Sequence, residues 1–153
     1  AEQVDTRRLD ALVRQHTLGG VARAPLLPAR LNGMLKGFID LVFAHEGRYF
    51  VADYKSNALG ADDAAYTPEA LREAVLAHRY ELQYVLYLFA LHRLLRSRLP
   101  DYDYERHVGG AVYVFLRGHA APSQGLHLER PPAALMHALD ALFDATDAEV
   151  LHA

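Results

Sequence analysis

Hydrophobic and polar positions follow two different periods along this chain. From Val4 to Thr17, Leu9, Leu12 and Val13 share one helical face while Arg7, Arg8 and Arg14 fall mostly off it. That spacing predicts an amphipathic helix, capped by Asp5 or Thr6 and ended by Gly19-Gly20. Ala24 to Arg30, with Pro25 and Pro28, reads as an extended connector. The period then shortens. Leu31 to Ala44 and Arg48 to Lys55 are rich in β-branched and aromatic residues and flank a short polar turn at Glu46-Gly47, which predicts two antiparallel strands.

Ser56 to Tyr66 is a polar loop. Thr67 followed by Pro68 is an N-cap with proline at the first helical position, and a helical pattern runs from there to about Leu99, with a break expected near His78-Arg79-Tyr80. Leu82, Val85, Leu86, Phe89, Ala90 and Leu94 give its second half a broad apolar face suited to packing on a sheet. Pro100 stops it, and Asp101 to His107 forms a tyrosine-rich acidic loop. Gly109 to Leu116 is a continuous apolar run, expected as a buried strand, and Gly118 to Gly125 reads as a mobile loop. Pro131-Pro132 opens a last helix whose apolar face is Leu135, Leu139, Leu142 and Phe143. The order helix, strand, strand, helix, strand, helix predicts an α/β fold with a central mixed sheet flanked by helices, in a single domain over residues 1–153. The crossover strand need not lie next to the hairpin.

Composition narrows this little. The 153 residues are 52% hydrophobic with a net charge of -3, enough for one real core and no sign of bulk nucleic-acid affinity. Without cysteine there is neither a disulfide nor a thiolate metal site. No apolar run approaches the ~20 residues that span a bilayer, and no signal peptide is visible. The chain begins at Ala1-Glu2-Gln3 without Met and reads as a piece of a longer protein. All basic residues except Lys36 and Lys55 are Arg, which suits phosphate contact but is better explained by the codon bias of a GC-rich genome.

Candidate chemistry centres on the hairpin. A tight turn pairs Ala44 with Tyr49 and brings Asp40 opposite Asp53, while alternation puts Asp53 and Lys55 on one face. Directly opposed like charges destabilise a sheet, and apolar neighbours add a desolvation cost. A divalent cation between the acids removes the repulsion; oxygen donors suit Mg2+, with Mn2+ as a substitute, and the Tyr54 carbonyl is a further candidate ligand. Lys55 would hold a water or stabilise charge on a phosphate. A buried ion pair with Lys55 is the competing reading, and D…DxK alone is a short pattern. Gln83 and Tyr87 share a face of the long helix, extended by Tyr80 and Tyr84, and either reach this site or form a core boundary. His92, Arg93, Arg96 and Arg98 read better as complements of a helix C-terminus than as phosphate ligands. The nine His show no metal-ligand spacing, and Tyr102 and Tyr104 suit core packing better than base stacking.

Several ordered stretches carry a resemblance. They are Gly33-Met34-Leu35-Lys36-Gly37-Phe38-Ile39-Asp40-Leu41-Val42-Phe43, Asp53-Tyr54-Lys55-Ser56-Asn57, Ala77-His78-Arg79-Tyr80-Glu81-Leu82-Gln83-Tyr84 with Tyr87, Ala90-Leu91-His92-Arg93, Asp101-Tyr102-Asp103-Tyr104-Glu105, Gly109-Gly110 and Phe115-Leu116-Arg117-Gly118. From about Val4 to Gly118 the chain resembles the C-terminal nuclease domain of the RecB (beta) subunits of exodeoxyribonuclease V. The resemblance implies a PD-(D/E)XK, restriction-endonuclease-like fold truncated at its N-terminus, and Mg2+-dependent cleavage of DNA phosphodiesters. It implies Asp40, Asp53 and the Tyr54 carbonyl as metal ligands and Lys55 as the catalytic lysine. It places Gln83 and Tyr87 in the family's QxxxY motif, and Ser56, Asn57, Tyr84 and Arg93 toward DNA. It further implies a bacterial cytoplasmic setting in double-strand-break repair, a helicase in the parent subunit, RecC- and RecD-type partners, and a RecA-type recombinase. The family's further metal-ligand His, upstream of the hairpin, has no match here before Leu31; His16 stands in a different context. The alternatives are a nuclease fold kept as a docking scaffold, and a free-standing restriction- or Holliday-junction-type nuclease.

Overall fold

The computed structural model describes residues 4–26, 28–35 and 39–152. Helix α1 spans Thr6–His16 and is capped by Asp5, whose carboxylate accepts from the N–H groups of Arg7 (3.1 Å) and Arg8 (3.3 Å). Such a cap satisfies donors that a helix start leaves orphaned. Leu9 and Val13 are the face it buries.

The predicted strand from Leu31 is corrected at its start. Pro28–Leu35 is a helix, α2, with its first turn inside the expected connector. Pro28 stands at the first helical position, where its missing N–H costs nothing, and buried Leu31 and half-buried Met34 lie three residues apart. Residues 36–38, in the middle of that expected strand, lie outside the described ones. Strand β1 is Leu41–His45 and β2 is Arg48–Lys55, paired antiparallel with Ala44 opposite Tyr49 and Leu41 opposite Ala52. Glu46 (φ 51°) and Gly47 (φ 79°) both turn left-handed, as a two-residue hairpin loop requires.

The long helical pattern resolves into α3, Pro68–His78, and α4, Tyr80–Arg98. Thr67 caps α3 through its hydroxyl, which accepts from the Ala70 N–H (3.1 Å). The break falls at Arg79, held left-handed at φ 54°. Its guanidinium is buried: Nε donates to Glu81, Nη2 to Asp10 (2.6 Å) and Nη1 to the Ala24 carbonyl (2.8 Å). Arg23 lies 3.7 Å from the same Glu81.

After the single turn α5, Tyr104–His107, strand β3 (Val108–Phe115) lies directly beside β2 and parallel to it, with Tyr113 opposite Asp53. A fourth strand absent from the sequence reading, β4 (Leu126–Glu129), pairs antiparallel with β3, so the sheet order is β1-β2-β3-β4. Its alternation of apolar and polar residues is only four residues long, too short to stand out. The segment before β4 is tied down rather than mobile: Ser123 Oγ donates to the Tyr66 carbonyl (2.6 Å), and the Phe115 N–H donates to the Gly125 carbonyl (2.8 Å). Helix α6, Ala133–His152, buries Leu135, Met136, Leu139 and Leu142.

Helix α4 is the centre of the core. Leu82, Tyr84, Val85, Leu86, Leu88, Phe89, Leu91 and Leu95 are all buried, so the expected single apolar face extends around most of the helix. A helix apolar on most sides belongs between layers. It packs on the sheet face that carries Asp53 and Tyr113, with α1 and α6 against its other flanks. The opposite sheet face is apolar in rows set by the register: Leu41, Ala52, Val112 and Leu128; then Tyr54, Val114 and Leu126. Its edges lie open, Leu128 at 60% exposure. Phe43 and Phe50 stack at 5.1 Å on that face, and a Cβ at Gly109 would meet the Phe50 ring at 2.2 Å. Among the described residues no helix is long and apolar enough to cross a membrane.

Candidate active site

The last β1–β2 pair is Leu41 with Ala52, so Asp40 and Asp53 face each other one step past the ladder. Asp40 lies where the chain enters β1, open to solvent, and its Oδ2 accepts from the Tyr54 N–H (3.1 Å). A strand residue presents its N–H and carbonyl along the same edge, so the Tyr54 carbonyl faces the Asp40 side of β2. Asp53 is buried, and its Oδ2 lies 2.7 Å from Lys55 Nζ. That contact is an ion pair; no oriented hydrogen bond reaches the oxygen among the described residues.

The two acids titrate as a pair. A hydrogen bond shared with Asp53, then the Tyr54 N–H, holds the Asp40 carboxyl below the usual carboxylate range. Burial pushes Asp53 up, and Lys55 only partly offsets it. As pH falls, Asp53 is therefore the member of the pair that takes up a proton first.

Helix α4 lays a polar cluster over this end of the sheet. Lys55 Nζ donates to Gln83 Oε1 (3.1 Å), and Gln83 Nε2 donates to the Tyr87 hydroxyl (3.1 Å). Burial, then the nearby Asp53 charge, raises the Tyr87 phenol. The Tyr113 hydroxyl donates to the same Gln83 oxygen. The ammonium rests over the Tyr80 ring, 4.3 Å from its centroid. Asp40, Asp53, Lys55, Gln83 and Tyr87, from three separate stretches of sequence, are thus brought together.

The residues expected to face DNA fare unevenly. Ser56 is exposed at the end of β2, its carbonyl accepting from Arg117 Nε (2.8 Å). Asn57 is engaged with the Tyr80 hydroxyl (3.1 and 3.3 Å), bracing that ring. Tyr84 is corrected: it is fully buried, and its hydroxyl donates to Glu129 of β4. Arg93 is corrected too. It lies about 15 Å along α4 from Gln83 and pairs with Asp140 (3.3 Å) and Asp144 (3.0 Å) of α6. Arg96 and His92 join Asp140, so this basic group serves helix packing. Tyr104 is buried and donates to the Pro131 carbonyl, as a core residue does.

Sequence reasoning missed Tyr113. No motif marks it, and only the placement of β3 directly beside β2 sets it level with Asp53. It missed Glu129 because it missed β4.

A hairpin ending in paired acids and a lysine, under a helix carrying Gln and Tyr, is the frame of a hydrolytic site. The chain belongs to the PD-(D/E)XK nuclease superfamily, whose profile matches residues 3–152. It is similar to the RecBCD enzyme subunit RecB of Escherichia coli K12, 52% identical over 145 residues that cover 94% of this chain and 12% of that protein. RecB of Haemophilus influenzae is 47% identical over 115 residues, 74% of this chain and 10% of that protein. RecB of Mycobacterium tuberculosis H37Rv is 45% identical over 123 residues, 74% of this chain and 11% of that protein. The chain therefore spans about an eighth or less of the length of these curated relatives.

Nucleases of this superfamily generally use a divalent metal. The donor set fits one: two carboxylates opposed across the hairpin, one buried carboxylate oxygen without an oriented donor, and a carbonyl on the Asp40 side. Among the described residues no third acid or His joins them. A cation that binds through two carboxylates and keeps several waters is the one such a sparse set suits.

Proposed function

We propose that this chain is the Mg2+-dependent DNA-cleaving domain of a RecB-type subunit, acting in double-strand-break repair with RecC- and RecD-type partners and a RecA-type recombinase. The observation that carries the reading is the buried Asp53 carboxylate, with Lys55 Nζ at 2.7 Å on one side and Asp40 on the other. Asp40, Asp53 and the Tyr54 carbonyl would hold Mg2+. When bound, the ion supplies Lewis-acid stabilisation of a phosphate and a more acidic water. Lys55 presents an ammonium beside the acids, where it orients a water or stabilises charge growing on the phosphate. Gln83 accepts from Lys55 and donates to Tyr87, and together they steady the ammonium. Ser56 is suited to a backbone phosphate, and Asn57 keeps Tyr80 under the ammonium.

The test is Asp53→Ala in the full-length protein. Mg2+-dependent cleavage of linear duplex DNA is expected to vanish while the thermal midpoint is kept. Undiminished cleavage would refute the assignment. Calorimetric titration with Mn2+ supplies a second readout: no binding by the wild-type protein would favour a docking scaffold.

A further inference from the structure

We infer that Tyr113 is a positioning residue for Lys55, acting through Gln83. The inference rests on Lys55 serving the cleavage site proposed above. Tyr113 stands on β3 level with Asp53 and is almost wholly buried. Its ring is wedged edge-on against Tyr84 (5.5 Å) and tilted against Tyr80 (5.8 Å), so the hydroxyl has one direction to point. It points at Gln83 Oε1, the atom that also accepts from Lys55 Nζ.

The chemistry of an amide makes that arrangement specific. Gln83 has an accepting end and a donating end, and a half-turn about its last bond exchanges them. Tyr87 does not fix the choice, because a hydroxyl both donates and accepts. An ammonium only donates, so Lys55 is held when the oxygen faces it and repelled when the NH2 does. Lys55 therefore sets which end of the amide faces it, and the Tyr113 hydroxyl, donating to the same oxygen from a ring fixed by its neighbours, keeps that oxygen in place beside the ammonium. The ammonium then donates to Gln83, lies 2.7 Å from Asp53 Oδ2 as an ion pair, and has the faces of Tyr80 (4.3 Å) and Tyr113 (5.3 Å) around it. The Gln83 bond is its only hydrogen bond among the described residues, so donor capacity is left for the reaction.

Phe in place of Tyr113 keeps the wedge and removes only the hydroxyl. In the full-length protein, Tyr113→Phe is expected to lower the single-turnover rate of Mg2+-dependent cleavage of linear duplex DNA about tenfold, the scale of an outer-shell loss. DNA affinity, measured in Ca2+, and the thermal midpoint are expected to stay unchanged. Added to Gln83→Ala, it is expected to cost nothing further, since its route is already cut. Acylation of the Lys55 amine by an N-hydroxysuccinimide ester, read by peptide mass spectrometry, is expected to speed up in Tyr113→Phe as the amine is released. An unchanged acylation rate, an unchanged cleavage rate, or a loss that adds in full to that of Gln83→Ala overturns the inference. Cleavage that survives Asp53→Ala instead sinks the site assignment, and this inference with it.

Discussion

Beneath the α3–α4 junction, Arg14, Arg23 and Arg79 meet Asp10 and Glu81; at the end of β2, Asp40 and Asp53 meet Lys55 as the one base among the described residues. Both groups are drawn from distant parts of the chain, and each contains acids that burial pushes upward. The first has base to spare, Arg14 lying a further 3.6 Å from Asp10 and Arg79 being joined to the Ala24 carbonyl, so no cation needs to be added to it. The second carries one more acid than base among the described residues, and burial pushes the inner acid up. A structural cluster covers its acids with base, whereas a working one keeps a surplus of acid that a cation can fill. Buried charge alone therefore does not mark a site; the excess of acid does.

That contrast is easiest to break at Asp53. Asp53→Asn in the full-length protein is expected to reduce Mg2+-dependent cleavage by at least about 1000-fold. The urea midpoint should hold or rise, because Asp40 loses a like-charged neighbour. A midpoint that falls as far as that of an Arg79 variant would make the site an ordinary ion pair. Next in size is Arg79→Met, expected to cost about 3–5 kcal/mol in urea unfolding, because it takes the hydrogen-bonded partner from two buried acids and leaves them only the longer contacts to Arg14 and Arg23. A loss under about 1 kcal/mol would erase the difference between the clusters.

Asp140 offers an intermediate case, half-buried among His92, Arg93 and Arg96. Burial pushes its carboxyl up, but hydrogen bonds from Arg96 and His92 outweigh that and hold it below its usual value. A carboxyl depressed in the folded state stabilises above its unfolded pKa and stops doing so as pH falls through the folded one. Asp140→Asn should therefore cost about 2 kcal/mol at neutral pH, with the difference from wild type fading in acid below the ordinary Asp value. A cost that stayed constant with pH would show that shape, not charge, holds this cluster. Smallest is Leu128→Ser on the open sheet face, expected to move folding stability by no more than about 0.5 kcal/mol. Light scattering should show less self-association in that variant; no change would mean the apolar face is not the sticky one.

Much of the site was readable because it depends on local rules. The hairpin register follows from a two-residue turn and strict alternation, so Asp40, Asp53 and Lys55 come together by counting. The cap at Asp5 and the break at Arg79 likewise sit where short-range preferences place them. What escaped was set by long-range packing. Tyr113 needs β3 placed beside β2, Glu129 needs a strand four residues long, and the α2 helix hides in an apolar run that also suits a strand. Tyr84 and Arg93 looked like surface groups only because the partners that engage them, Glu129, Asp140 and Asp144, lie 45 to 51 residues away.

The left-handed turn at Arg79 has a bearing on the chemistry that its distance from the acids conceals. It sets the rotational phase in which α4 begins, and each helical residue advances that phase by about 100°. Gln83, backed by Tyr87, reaches Lys55 only in the present phase. Inserting or deleting one residue at the junction would swing both away from β2 and silence the enzyme with every one of its reactive groups intact.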